Sequence, residues 1–264
     1  MKINFKGSII LLAGAALLLN ACTKSQNAKP STTTPANTVN KQTAASQIAV
    51  NLYQSLTGQY GGVNINNGIS TPAIASSTLK TPTLNSTNFV CGFYVNDGIN
   101  YTTNIGDTLK SVSHGSLAFY YVCNSTQAIG YKATDTLTTI GTGPGYAFAD
   151  GVSQNYIVSG LNSNNSLVTV DGSIKSTIGI SYNKGGKIAS YNVFTLSGLQ
   201  VHLDQNPPDI TSGTALFVTS GVSGSSVYSL EGKFTFLGNH IAKIDYYDSI
   251  FYVNLITGKV TTTI

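Results

Sequence analysis

Few side chains in this sequence could do chemistry, and their spacing limits what that chemistry could be. Three cysteines (Cys22, Cys91, Cys123) and three histidines (His114, His202, His240) are spread over 264 residues. His202 and Asp204 stand two apart, so on a strand they would share a face, one ingredient of a general base held by a carboxylate. The other ingredients are absent from the sequence: there is no Gly-x-Ser-x-Gly elbow for a nucleophilic serine and no His-Glu-x-x-His for zinc. Against a background rich in Ser and Asp, the pair also reads as a plain polar patch at a strand end. Glu231 is the single glutamate and the aspartates stand mostly at turn sequences, which does not make the paired carboxylates of glycoside cleavage. Gly141-Thr142-Gly143-Pro144-Gly145 is followed by no Gly-Lys-Ser/Thr and opens no helix, so it reads as a turn and not as a phosphate cradle. Cys91 and Cys123 lie in no Cys-x-x-Cys pair and supply too few ligands for a metal. No catalytic residue, metal or cofactor is expected.

Cys22 has a different context. Lys2 and Lys6 are followed by an apolar run, Ile9 to Leu19, and then by Leu19-Asn20-Ala21-Cys22. At 1.5 Å per residue such a run would reach roughly 16 Å as a helix, about half of a ~30 Å hydrocarbon core, which suits an export signal and not a permanent span. The Leu-x-Ala-Cys junction resembles the lipobox of bacterial lipoproteins. That resemblance implies a signal peptide over 1–21, a diacylglyceryl group on the Cys22 sulfur and an acylated new amino terminus; the alternative is an ordinary signal peptide with a chance cysteine. Each buried acyl methylene contributes about 0.8 kcal/mol, so two or three chains hold a protein at a membrane where one binds reversibly. Thr23 stands where an Asp would mark inner-membrane retention, making the outer membrane the expected destination, with the leaflet open. Export leaves Cys91 and Cys123 as the remaining thiols, and the expectation is a disulfide between two inward strand faces. Two buried free thiols are the alternative.

Composition narrows the partners. The formal charge is +4, and loss of Lys2 and Lys6 with the leader leaves +2. The basic residues are isolated lysines with no arginine, only 9% of residues are charged, and there is no tryptophan. Nucleic-acid surfaces need clustered positive charge, usually with Arg, so a nucleic-acid partner is excluded.

The elements that must position these residues follow from pattern. Residues 22–42 are Ser/Thr/Asn/Lys-rich with Pro30 and Pro35 and lack apolar periodicity, which predicts a disordered tether. Ala45, Ile48, Ala49, Leu52 and Leu56 recur at helical spacing, with Asn51, Gln54 and Ser55 off that stripe, predicting one amphipathic helix ended by Gly58. Beyond Pro72 and Pro82 the period becomes two, first in Phe89, Cys91, Phe93 and Val95, then in Leu117, Phe119, Tyr121 and Cys123. Further strands are expected at 131–140, 155–161, 167–182, 188–203, 215–220, 227–237, 241–247, 251–255 and 259–263. Turn sequences separate most of them, among them Asn96-Asp97-Gly98, Asn183-Lys184-Gly185-Gly186, Gly238-Asn239 and Thr257-Gly258. Connections this short join antiparallel neighbours. The expected fold is mainly β: an antiparallel β-sandwich or a curved open sheet or barrel over 43–264, with one N-terminal helix and room for two half-domains, about 85–165 and 166–264.

Three triplets, Asp107-Thr108-Leu109, Asp135-Thr136-Leu137 and Asp248-Ser249-Ile250, resemble the Asp-Ser/Thr-aliphatic O-glycosylation motif of exported Bacteroidota proteins. That would place sugar on Thr108, Thr136 and Ser249 and require all three to be exposed; equally, Asp-Thr and Asp-Ser are good turn starters. The lipobox, these triplets and the Ser/Thr/Asn-rich texture together resemble the uncharacterised envelope lipoproteins of Bacteroidota, a type with no assigned activity. The expected function is therefore a lipid-anchored, non-catalytic β-domain that touches the membrane through acylated Cys22 and binds or scaffolds an envelope protein or glycan. Two other readings carry their own structural requirements. An enzyme acting on envelope glycans or peptides needs His202 and Asp204 to converge with a third polar group in a pocket. A glycan-binding module needs coplanar exposed tyrosines beside a groove.

Overall fold

The computed structural model describes residues 40–58, 63–65, 91–92, 94–106, 108–161, 167–223 and 226–263. The expected signal peptide, Cys22 and most of the expected tether lie outside the described residues.

One helix, α1 (Lys41–Leu56), opens the described chain. It starts inside the expected tether because Asn40 caps it: the Asn40 side chain accepts hydrogen bonds from the N–H groups of Gln42 and Thr43, two donors the first turn leaves unpaired. All five residues of the apolar stripe are buried, at 0 to 4% exposure. Asn51 and Ser55, off the stripe, are buried as well.

Eleven strands follow: β1 (Tyr94–Ile105), β2 (Leu109–Asn124), β3 (Gln127–Gly143), β4 (Tyr146–Ser159), β5 (Leu167–Tyr182), β6 (Lys187–His202), β7 (Asp209–Ser223), β8 (Ser226–Gly238), β9 (Ile241–Tyr246), β10 (Ser249–Asn254) and β11 (Val260–Thr261). They form one antiparallel sheet in sequence order, and β1 does not pair with β11. The fold is thus the open-sheet form of the expected antiparallel architecture. β4 and β5 pair along their lengths, from Tyr146 with Tyr182 to Ser159 with Thr169. The β8–β9 hairpin turns on Asn239 and His240, both at positive φ (53° and 56°), the backbone that a two-residue type I′ turn demands.

Two local expectations are corrected. Asn96-Asp97-Gly98 is not a turn; it lies within β1, where Asp97 pairs with Leu117 and Gly98 with Ser116. Twelve consecutive pairings with β2 outweigh the local turn preference of Asp-Gly. Cys91 is not on a strand but in a turn before β1, and both cysteines of the pair are only partly buried.

The helix crosses the strands instead of running along them. Near its C-terminal end Gln154 of β4 donates to the Ser55 carbonyl, while Ser46 reaches the Gly258 carbonyl beyond β10 and Lys41 pairs with Asp248 of the β9–β10 turn. From Ser55 to Lys41 is about 21 Å of helix at 1.5 Å per residue, and β4 to β10 is about 29 Å at 4.8 Å per strand, a span that the helix bridges with the Gln154 and Lys41 side chains at its two ends. The core gathers beneath it, with Leu52 and Leu56 joined to Tyr156, Ile174, Phe194, Phe217, Phe234 and Ile244.

Strands β2 to β7 run 14 to 17 residues, roughly 50 Å, and a helix about 10–12 Å across cannot cover them. Beyond α1 the inner face carries cross-strand pairs of glycine with an aromatic residue. A Cβ on Gly141 would fall 2.4 Å from the Phe148 ring, and one on Gly221 would fall 2.5 Å from the Tyr228 hydroxyl. Each ring covers its glycine partner directly.

A Cys91–Cys123 disulfide ties the turn before β1 to the end of β2, with Cα atoms 6.0 Å apart and 32 residues of separation. On the loop-entropy model a closed loop of this size contributes roughly 3 to 4 kcal/mol. Reduction should lower the melting temperature by several degrees; an unchanged melting curve alongside two titratable thiols would contradict the bond.

Candidate functional site

Strand register places one row of side chains, half-buried except for the buried Ser113, across the inner face just past the part that α1 covers. In order it reads Tyr101, Ser113, Thr139, Asp150, Ile178, Ser190, Gly221 and Tyr228, one residue from each of β1 to β8. The neighbouring row toward the helix, Leu137, Val152, Ser176, Asn192 and Thr219, is buried. Between them lies a shallow depression lined by Leu137, Thr139, Asp150, Val152, Ser176 and Ile178.

The polar groups here are of two kinds. Some are satisfied within the fold: the Ser113 and Thr139 hydroxyls are 2.8 Å apart, and a buried side-chain relay runs from the Thr219 hydroxyl to Asn192 Oδ1 (2.6 Å), from Asn192 Nδ2 to the Ser176 hydroxyl (3.2 Å) and from the Ser176 hydroxyl to Asn51 Oδ1 (2.8 Å). That relay joins β7, β6 and β5 to α1 and walls the depression on its helix side. Asp150 is of the other kind. Its Oδ1 is buried with no hydrogen-bond partner among the described residues. Burial pushes its carboxyl up to about 6, opposed by a hydrogen bond from the Gly179 backbone. The depression beside this oxygen has room for about one water-sized group, so a larger ligand would meet the acceptor and the hydroxyls from above the row.

A second carboxylate holds the framework. Asp135, 1% exposed, accepts from the backbone N–H of Val63 and, at 3.1 Å, of Gln154; the Val63 N–H is shared with Gln154 Oε1 at 2.8 Å. Because Gln154 also donates to Ser55, the group fastens the helix end and residues 63–65 to β3 and β4. Burial pushes Asp135 up to about 7 against the two backbone hydrogen bonds. A third carboxylate, Asp209 at 3% exposure, accepts from the N–H groups of Asn239 and His240 at 2.8 Å each and so fixes the β8–β9 turn.

The expected site residues are scattered. His202 and Asp204 do approach, Nδ1 to Oδ1 at 3.4 Å, but at 34% and 58% side-chain exposure at the far end of β6. Ten residues of strand from His202 to Asn192 amount to about 33 Å, so the pair is remote from the depression. Among the described residues no third side chain is hydrogen-bonded to either. Thr108 is exposed in the β1–β2 turn, donating to the Ile105 carbonyl at 2.6 Å. Thr136 is exposed on the outer face of β3, 3.0 Å from the Ser116 hydroxyl, while its neighbour Asp135 is buried; that triplet is therefore not a turn. Ser249 is half-buried at the start of β10, 3.2 Å from Lys41 Nζ.

The sequence pattern offered Asp135 only as a turn starter beside Thr136 and singled out none of Asp150, Ser176, Asn192 and Thr219. Their signal was phase: each sits at an inward position of its strand, in step with apolar neighbours such as Ala133, Leu137, Val152, Ile174, Phe194 and Phe217. A polar residue in that phase must be paired or used.

No protein-family model, no curated protein and no solved structure matches this chain.

The two raised carboxyls give stability a pH dependence of defined sign. Both hold protons more tightly folded than unfolded, so their contribution is full below about pH 4 and is lost as pH rises through about 6 and about 7. The melting temperature should fall between pH 5 and pH 8, with Asp135 accounting for a loss on the order of a few kcal/mol. Asp135→Asn, uncharged and nearly isosteric, should flatten the upper part of that profile. A wild-type melting temperature that rises over this range, or an unchanged slope in the variant, would refute the assignment.

Proposed function

We propose that this protein is a lipid-anchored component of the bacterial cell envelope, at the outer membrane, whose β domain binds or scaffolds an envelope ligand without catalysing a reaction. The leader and Cys22 support the anchor, through acyl chains that would keep the domain at a lipid surface. The observation that carries the binding half is the polar row from Tyr101 to Tyr228, centred on the unfilled Asp150 oxygen, on sheet surface that α1 leaves open. A rigid sheet with a prearranged row of acceptors and hydroxyls binds with little ordering cost.

Catalysis has no comparable support. Among the described residues no third side chain converges on the His202–Asp204 pair, and none is hydrogen-bonded to Asp150 Oδ1. A glycan ligand is favoured by Phe148, next to the row on the inner face, and by the paired Tyr146 and Tyr182 about 13 Å from the row along the strands, although the Tyr146 and Phe148 rings are tilted by 38° and do not form a flat platform.

Cys22→Ser should move the protein from the sedimenting envelope to the soluble fraction; a variant still sedimenting with the envelope would contradict the anchor. Once soluble, that form should bind isolated envelope fragments saturably. Adding Ser190→Trp, which fills the open row, should weaken binding about tenfold, ~1.4 kcal/mol. Equal binding by both forms would remove the inner face as the site.

A further inference from the structure

β1 is the outer strand of an open sheet, and among the described residues no strand pairs with its far side. Such a strand presents a row of unused N–H and C=O groups. Edges are commonly protected by shortness, by Lys or Pro, by a bulge or by an inward-pointing charge. β1 is 12 residues long, contains no Lys or Pro and pairs with β2 without a register shift; the one such device it carries is Asp97, at an inward-phase position. The other edge is unlike it, since β11 has two residues and follows Lys259. The Cys91–Cys123 disulfide further ties the approach to β1 onto β2, which keeps this edge in place as a template.

We propose that a second copy of the chain occupies this edge, the two β1 strands pairing antiparallel about a twofold axis at Asn100. The sequence of β1 selects this occupant and this register. Sheet faces stay in phase only if inner residues meet inner residues. With Asn100 opposite itself, Val95 meets Ile105 of the second copy, Ile99 meets Tyr101, and Asp97, the one charged residue of β1, meets Thr103. Val95, Ile99 and Tyr101 already pack against the core, so the apolar layer would continue across the axis. On the outer face Asn100 meets Asn100 and Asn96 meets Asn104, side-chain amides that can hydrogen-bond each other. Moving the axis one residue to Ile99 sets Val95 against Thr103, and moving it to Tyr101 sets Asp97 against Ile105 and Ile99 against Thr103; both lose the matching. Isologous pairing of this kind closes on itself and consumes the exposed edge.

The test uses the full chain purified in detergent. Opposed residues of an antiparallel pair have Cα atoms about 4.5 to 5.5 Å apart, within disulfide reach. Asn100→Cys should therefore give a covalent dimer on mild oxidation. Asn96→Cys alone should not, whereas Asn96→Cys combined with Asn104→Cys should. Asn100→Lys, which sets two like charges across the axis, should halve the sedimenting protein mass while leaving the Cys91–Cys123 disulfide intact. A wild-type chain that sediments as a monomer, or an Asn100→Cys form that remains monomeric under oxidation, would overturn the proposal.

Discussion

The structure depends on the burial of α1 across a sheet whose strands are far longer than the helix is wide. Apolar contact supplies most of the stabilisation, as Leu52 and Leu56 sink among Tyr156, Phe194 and Phe234. Contact of that kind is non-directional and would allow the helix to slide or rotate over the sheet. Directional bonds set its position: Gln154 to Ser55, Ser176 to Asn51, Tyr53 to the Pro208 carbonyl at 2.7 Å, and Ser46 to the Gly258 carbonyl at 2.6 Å. Each would leave a buried or partly buried polar group unpaired if the helix shifted, so the crossing geometry is specified and not merely favourable.

That geometry divides the inner face. Under α1 the strands contribute phenylalanine, valine and isoleucine to a closed core; past it the same strands present Thr139, Asp150, Ile178 and Ser190 half-buried. The division is a consequence of length, because β2 to β7 extend well beyond any cover the helix can provide. One sequence pattern, alternation at period two, thus yields both a core and a candidate binding row, and position along the strand decides which. Acylation at Cys22 and a twofold edge contact through β1 would add location and valence to the same surface without altering it.

Much of this was legible in the sequence because its cause is local. The boundaries of β5 and the helical stripe follow from side-chain period alone, and the Asn183–Gly186 and Gly238–Asn239 turns follow from residues that accept positive φ. The Cys91–Cys123 pairing followed from thiol count and the export expected of the leader, though the strand placement of Cys91 did not hold. What escaped depends on contacts far apart in the chain. Asn51 and Ser55 read as the solvent side of an amphipathic helix, yet their partners Ser176 and Gln154 lie 125 and 99 residues away. Asp135 read as a turn starter beside Thr136, yet it is buried against Val63, 72 residues distant. The Asp-Gly of β1 read as a turn because only pairing with β2 makes it a strand. In the candidate site, the residues with obvious chemistry, His202 and Asp204, lie apart from the depression, while Asp150 carried no signal except its inward phase.

The most direct test of the inner face as the binding surface is hydroxyl-radical footprinting of the native protein in intact envelope against the purified domain. Occupation of the open row predicts that Tyr101, Tyr146, Phe148 and Tyr228 are protected in the envelope while Tyr120 and Tyr191 on the outer face label equally in both. Equal labelling of the inner-face rings in the two preparations, or protection confined to Tyr120 and Tyr191, would contradict it.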